Sequence, residues 1–229
     1  MIDLNDPNIL NVYRFGSHVY GTNNKNSDED FFVIQENFTI SDSIDIHHIS
    51  KNQFQHLLDN QDIQALECYF LPYKHVLKQS HIFTFKLDKS LLRKSISTIS
   101  DGSWQKGKKK LIVSGDYDKW LALKSIFHSL RIRDIGIQVA LEGKIIDYTR
   151  MNYVLADLIK LGDQYERNEL WEVIDTKYRK TYNTLRSRFI ELCPKDDHRQ
   201  SKIDKILEIL KKNDVSLPLE VIKEIVDEG

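Results

Sequence analysis

The sequence is poor in the residues that staple small or secreted folds. Two cysteines, Cys68 and Cys193, occur in 229 residues. They are far apart and form no C-x-x-C pair, which excludes a disulfide framework and a cysteine-based zinc site and predicts a reducing compartment. Neither sign of charge prevails: Lys+Arg 33 against Asp+Glu 34 gives a formal net charge of -1. That balance excludes the overall basicity of a protein that coats nucleic acid non-specifically, and leaves room for a local basic patch. No apolar run approaches the roughly 20 residues needed to span a bilayer, and the opening MIDLNDPNIL lacks a basic n-region and an apolar h-region. The expectation is a soluble, cytoplasmic protein with no membrane partner. Internal repeats and low-complexity tracts are also absent. Glycine is scarce, with nine in the chain, so two of them close together, at Gly16 and Gly21, invite an explanation.

With 41% hydrophobic residues the chain can bury one good core or two small ones. Its first third alternates short β-branched or aromatic runs with polar loops. Strands are predicted at Val12–Phe15, Asp30–Ile34 and Ile44–Ile49. After Ser50 the apolar period becomes helical, through Phe54, Leu57 and Leu58 and then Ile63, Leu66 and Tyr69, and stops at Leu71-Pro72. Beyond about residue 88 the strand signals nearly vanish. One helix is predicted around Leu91–Ile99, then a basic loop, WQKGKKK, then the longest helical pattern, from about Asp116 to Leu141, ended by Gly143. Further helices are predicted at 151–161, 167–192, 201–212 and 219–226, with Pro218 opening the last. The division expected is an α/β domain over 1–87 and a helical domain over 88–229 that completes the site.

The stretch RFGSHVYGTNNKNSDEDFFVI carries the chemistry. Gly16-Ser17 follows a strand, where backbone N–H groups and a hydroxyl can grip phosphate and a glycine lets phosphate approach the backbone. Asp28 and Asp30 are two apart, so at the start of a strand they project to one side. Two adjacent carboxylates repel, and a hard divalent cation relieves that repulsion while retaining positions for substrate phosphate oxygens. A third carboxylate is expected from a neighbouring strand. Asp45, between Ile44 and Ile46, is the first candidate and Asp42 the second. The alternative is an ordinary surface turn, since Gly, Ser, Asn and Asp are the commonest turn formers. The full arrangement, rather than Asp-x-Asp alone, favours two-metal phosphoryl or nucleotidyl transfer.

Gly16-Ser17, Gly21, Ser27-Asp28 with Asp30, and an apolar-Asp-apolar strand at Asp45 resemble the signature of the DNA polymerase beta-like nucleotidyltransferase superfamily. More narrowly, GSHVYGTNNKNSDEDFFV, followed by Ala65-Leu66-Glu67, resembles the minimal nucleotidyltransferases associated with RNA repair. The likeness implies an α+β fold: a small mixed twisted sheet with flanking helices, followed by a helical C-terminal domain. It implies a nucleoside triphosphate substrate, Mg²⁺ or Mn²⁺ on Asp28, Asp30 and Asp45, and triphosphate binding by the Gly16-Ser17 turn; Ser27, beside Asp28, is a further candidate for the nucleotide site. Two positions depart from the pattern. Glu29 stands where many members have an apolar residue, and Tyr20 stands where some larger relatives have arginine, so the source of positive charge near the phosphates is left open.

Lys124, His128 and Arg131 fall at i, i+4 and i+7, on one face of the predicted long helix and separated from a stripe containing Trp120, Phe127 and Leu130. They are candidates to hold the triphosphate or an acceptor phosphate, and the similar RNA-repair-associated proteins show a comparable Lys-x-x-x-His-Ser-Leu-Arg helix. The alternative is a solvated helix face. His47 and His48 are adjacent on a strand and point to opposite sides, which argues against a shared zinc ion. The lysines at 106 and 108–110, with Trp104 to stack a base, are a candidate contact for an RNA acceptor. Three functions stay open: transfer to an RNA or tRNA-like end, modification of a protein side chain, and a nucleotide-binding module that does not turn over.

Overall fold

The first strand, β1 (Ile9–Phe15), forms where Val12, Tyr13 and Phe15 supply a run of large buried side chains. In the computed structural model, which describes residues 2–25, 27–37, 46–195, 198–213 and 215–228, β1 is one of the two central strands of the sheet. Antiparallel to it runs β2 (Asp30–Gln35), with Phe15 opposite Asp30 and Val12 opposite Val33. This register has a functional consequence: the Gly-Ser turn leaving β1 and the carboxylates entering β2 lie at the same end of the sheet. β3 (Ile46–Ser50) runs parallel to β2, and β4 (Val76–Gln79) runs antiparallel to β1. The order β3-β2-β1-β4 makes a four-stranded mixed sheet. Ile44, Asp45 and Asp42 lie outside the described residues.

Helix α2 (Lys51–Asp59) starts from a capping box in which the Ser50 side chain accepts from the Gln53 N–H and the Gln53 side chain accepts from the Ser50 N–H. α3 (Ile63–Tyr69) is capped by Asp62. Together they cover one sheet face, where Tyr13, Phe32 and Ile34 pack with Phe54, Leu58 and Leu66. The first helix of the chain, α1 (Ser17–Tyr20), is a single turn immediately after β1.

The expected basic loop is not a loop. Trp104 to Lys110 lie inside α4 (Lys89–Ile112), which is capped by Asp88. Its glycine marks a contact: Gly107 packs against α5 (Lys119–Glu142), and a Cβ there would stand 2.5 Å from Ile126 Cγ1 and 3.0 Å from the Ala122 carbonyl oxygen. Gly143 ends α5 in the left-handed conformation, with φ 68°, its N–H donating to the Val139 carbonyl. α6 (Asn152–Gln164) and α7 (Arg167–Leu192) complete the helical layer. α7 has 26 residues against 24 for α5, so it exceeds the helix expected to be longest. Trp104, Leu111, Ile126, Leu130, Leu158 and Trp171 make a second core among these helices.

Contacts divide the chain into two compact units, residues 1–193 and 194–229. The sheet and α1–α7 share the first unit, so position 87/88 falls inside it. The second unit holds α8 (His198–Lys212) and α9 (Leu219–Glu228), with Ile203 and Ile222 buried in a small cluster of their own. Among the described residues no helix is long and apolar enough to cross a membrane.

Candidate active site

At the end of β1 the chain turns at Gly16, with φ 75° and ψ -149°, a conformation that glycine alone adopts without strain. A second constraint acts at the same atom. A Cβ on Gly16 would lie 2.3 Å from Asp30 Oδ2, so the carboxylate rests directly on the glycine backbone. Past the turn, the Gly16 carbonyl accepts from the N–H groups of Val19 and Tyr20, and Gly21 closes α1 in the left-handed conformation. The Asn152 side chain then donates to the Tyr20 carbonyl at 2.7 Å, tying the far end of α1 to the start of α6.

The loop from α1 to β2 closes on Ser27. Its hydroxyl accepts from the Asn24 N–H at 2.8 Å, and its own N–H donates to the Asn24 carbonyl at 3.1 Å. Beyond it, Asp28 is exposed and Asp30 half-buried as the first residue of β2. Between them Glu29 faces away and pairs with Arg14 at 3.0 Å. The alternation of an extended chain therefore separates one structural carboxylate from two that line the cavity.

That cavity, about 780 Å³, is bounded on the sheet side by Gly16, Ser17, Tyr20, Ser27, Asp28 and Asp30. On the helical side α4 contributes Ser103 and Lys106, and α5 contributes Trp120, Lys124, His128 and Arg131. Positions 16, 17, 27, 28, 30, 124, 128 and 131 are thus brought together around one space. Charge is segregated within it: the acids lie on the sheet side and the cations on the helical side. Lys106 and Lys124 are exposed and have no ion-pair partner among the described residues.

Arg131 behaves differently from the two lysines. It is 2% exposed, and its Nη1 lies 2.5 Å from Glu67 Oε1. Its guanidinium also stacks on the Tyr20 ring, 3.6 Å from the centroid, while the Tyr20 hydroxyl donates to Glu67 Oε2 at 2.7 Å. Glu67 offsets the cost of burying the guanidinium and holds Arg131 protonated, its pKa raised. Burial and Glu67 likewise push the Tyr20 hydroxyl well above its usual range. Arg131 therefore joins α5, α3 and α1 in one buried knot, with its charge met by Glu67.

Arg131 Nη2 lies 3.2 Å from His128 Nδ1. An arginine only donates, so Nδ1 is the acceptor, and the neutral imidazole carries its proton on Nε2. Burial, with Arg131 and Lys106 nearby, depresses the His128 pKa to about 3. His128 enters the pocket wall as a neutral donor.

The tryptophans reverse their expected places. Trp104, expected to stack a base, is 1% exposed and packs on Tyr182 at 4.5 Å between ring centroids. Trp120, expected in the apolar stripe of α5, is 48% exposed and lines the cavity. The lysine run is divided in the same way. Lys106 faces the cavity, Lys108 lies 5.6 Å over Trp171, and Lys109 and Lys110 pair with Asp116. His47 stacks on Phe32, whereas His48 lies 3.3 Å from the Gln35 side chain.

Asp28 and Asp30, with the hydroxyls of Ser17 and Ser27 around the same cavity, are hard oxygen donors, which fit a small divalent cation that retains positions for substrate oxygens. Among the described residues no three His, Cys, Asp or Glu side chains gather as a metal site. Asp45 and Asp42, the expected third carboxylates, lie outside the described residues. Residues 3–97 match the family model of the nucleotidyltransferase domain. The matched segment contains the whole sheet, the Gly-Ser turn, Asp28, Asp30 and the start of α4, and it supports nucleotidyl transfer as the general chemistry. No curated protein matches the chain.

Proposed function

We propose that the protein transfers a nucleoside monophosphate from a nucleoside triphosphate to a hydroxyl acceptor, an RNA end being the acceptor. The observation that carries this reading is the facing of Gly16, Ser17, Asp28 and Asp30 against Lys106 and Lys124 across one cavity, within a segment that matches a nucleotidyltransferase domain.

In the transfer, the acceptor oxygen bonds to the α-phosphorus, the bond from that phosphorus to the bridging oxygen breaks, and pyrophosphate leaves. The Ser17 hydroxyl and the backbone of the turn that follows Gly16 receive the phosphates that depart. Lys106 and Lys124 offset their charge from the helical wall. His128 donates from Nε2 and takes up no proton: Nδ1 already accepts from Arg131. The cavity's proton acceptors among the described residues are the carboxylates of Asp28 and Asp30. Mg²⁺ or Mn²⁺ held by Asp28 and Asp30, with Asp45 as the expected third carboxylate, would lower the acceptor hydroxyl's pKa and screen the triphosphate.

The test is incubation with labelled nucleoside triphosphates, Mg²⁺ or Mn²⁺, and RNA and protein acceptors together. Label is expected in RNA; label in protein would replace that acceptor with a side-chain hydroxyl. The Asp28→Ala, Asp30→Ala double variant should fold and lose transfer by a factor of at least about 10³, and undiminished transfer would sink the assignment. Binding of triphosphate without transfer to any acceptor would favour a binding module.

A further inference from the structure

The helical wall carries an aromatic surface that the transfer step leaves unused. Of the three tryptophans, Trp104 and Trp171 are buried and meet edge to face at 5.8 Å, whereas Trp120 is exposed toward the cavity from the first turn of α5. Leu121, Phe127 and Leu155 continue the apolar lining beside it. Lys124 Nζ lies 5.7 Å from the Trp120 ring centroid, near the outer limit for a cation over a ring, and Lys106 reaches the same cavity from α4. No acidic side chain from α4, α5 or α6 lines this wall.

A ligand that complements this wall has a flat π-face on one part and anionic oxygens close by. Those are the features of a nucleotide: the base stacks on an indole, and the phosphates meet lysines. The geometry points to Trp120 as the stacking platform for the base of the incoming nucleoside triphosphate, with Lys106 and Lys124 directed at its phosphates. This rests on the nucleotidyl-transfer reading above, and assigns the base a residue that the Gly-Ser and carboxylate motifs do not include.

The experiment uses the full chain, adenosine triphosphate with Mg²⁺, and no acceptor. Because Trp120 is the exposed indole, its fluorescence should be quenched as triphosphate is added. In Trp120→Leu the quenching should vanish and affinity, measured by equilibrium dialysis, should fall about tenfold, while Trp120→Phe keeps most of the affinity. Affinity for inorganic tripolyphosphate, which has no base, should be the same in wild type and Trp120→Leu.

Wild-type affinity for adenosine triphosphate in Trp120→Leu would overturn the platform and leave the transfer reading standing. So would an equal loss of tripolyphosphate binding, or quenching by an oligoribonucleotide but not by the triphosphate. No triphosphate binding by the wild-type protein would remove both the platform and the reading on which it rests. An unchanged urea midpoint in Trp120→Leu separates a lost contact from a damaged fold.

Discussion

Arg131 and Glu67 are 64 positions apart in sequence and form a buried ion pair at 2.5 Å, with Tyr20 against both. Removing one partner leaves an uncompensated charge in a dry site. Glu67→Leu or Arg131→Met should therefore destabilise the protein by about 3–5 kcal/mol, whereas the double variant Glu67→Leu, Arg131→Met should recover much of that loss. Urea unfolding of the two singles and the double checks it; strictly additive losses would show that the pair is not coupled.

Gly16 is held by both its backbone angles and the Asp30 carboxylate. Gly16→Ala adds left-handed strain of about 1–2 kcal/mol and a collision that only displacement of Asp30 relieves. Transfer should drop by about a hundredfold or more, far beyond what the stability loss explains at working temperature. Adding Asp30→Ala should recover part of the stability and none of the activity.

His128 titrates well below an ordinary histidine, at about 3 instead of 6.5. Above about pH 6.5 both folded and unfolded forms are neutral and the group adds no pH dependence. Between these two values the unfolded chain takes up a proton that the native state refuses, so stability falls as pH falls. His48 and His75 are shifted the same way by burial. The comparison is therefore wild type against His128→Asn: between about pH 6 and 4 the wild-type stability curve should be the steeper one. The His128 ring resonances should also show no titration near pH 6.5.

The two tryptophans should respond in opposite ways to truncation. Trp104→Ala opens a cavity in the helical core and should cost about 3–5 kcal/mol. Trp120→Ala should change unfolding by no more than about 0.5 kcal/mol. Thermal melts of both variants test the placement directly.

Much of the sheet was legible because its strands carry strong local signals. The apolar runs that end at Phe15 and begin at Phe31 are separated by a stretch of turn residues, and Gly16-Ser17 and Asp28-x-Asp30 fall on either side of a pairing that brings strand ends together. β4 was missed because Val76–Gln79 is four residues long and half polar. The basic run reads as a loop because its glycine and lysines mask a helical period that only Trp104, Gly107 and Leu111 reveal. The tryptophans were exchanged for a related reason: on α5 nearly every residue from Ala122 to Ala140 is buried, so apolarity there gives no phase. Lys124, His128 and Arg131 could be grouped by spacing. That Glu67 would meet Arg131 could not, since one sequence carries no record of which distant residues touch.

Lys106 and Gly107 are neighbours on α4 that face different ways, one toward the cavity and the other against Ile126 and the Ala122 carbonyl. At this level the α4 backbone rests on the Ile126 side chain and the Ala122 carbonyl of α5, with room at 107 for a hydrogen atom and no more. A methyl group at 107 would act as a wedge, shifting Lys106 relative to Lys124 without touching any atom that lines the cavity. The reach of one cationic arm across the cleft is thus gauged by the absence of a side chain next to it.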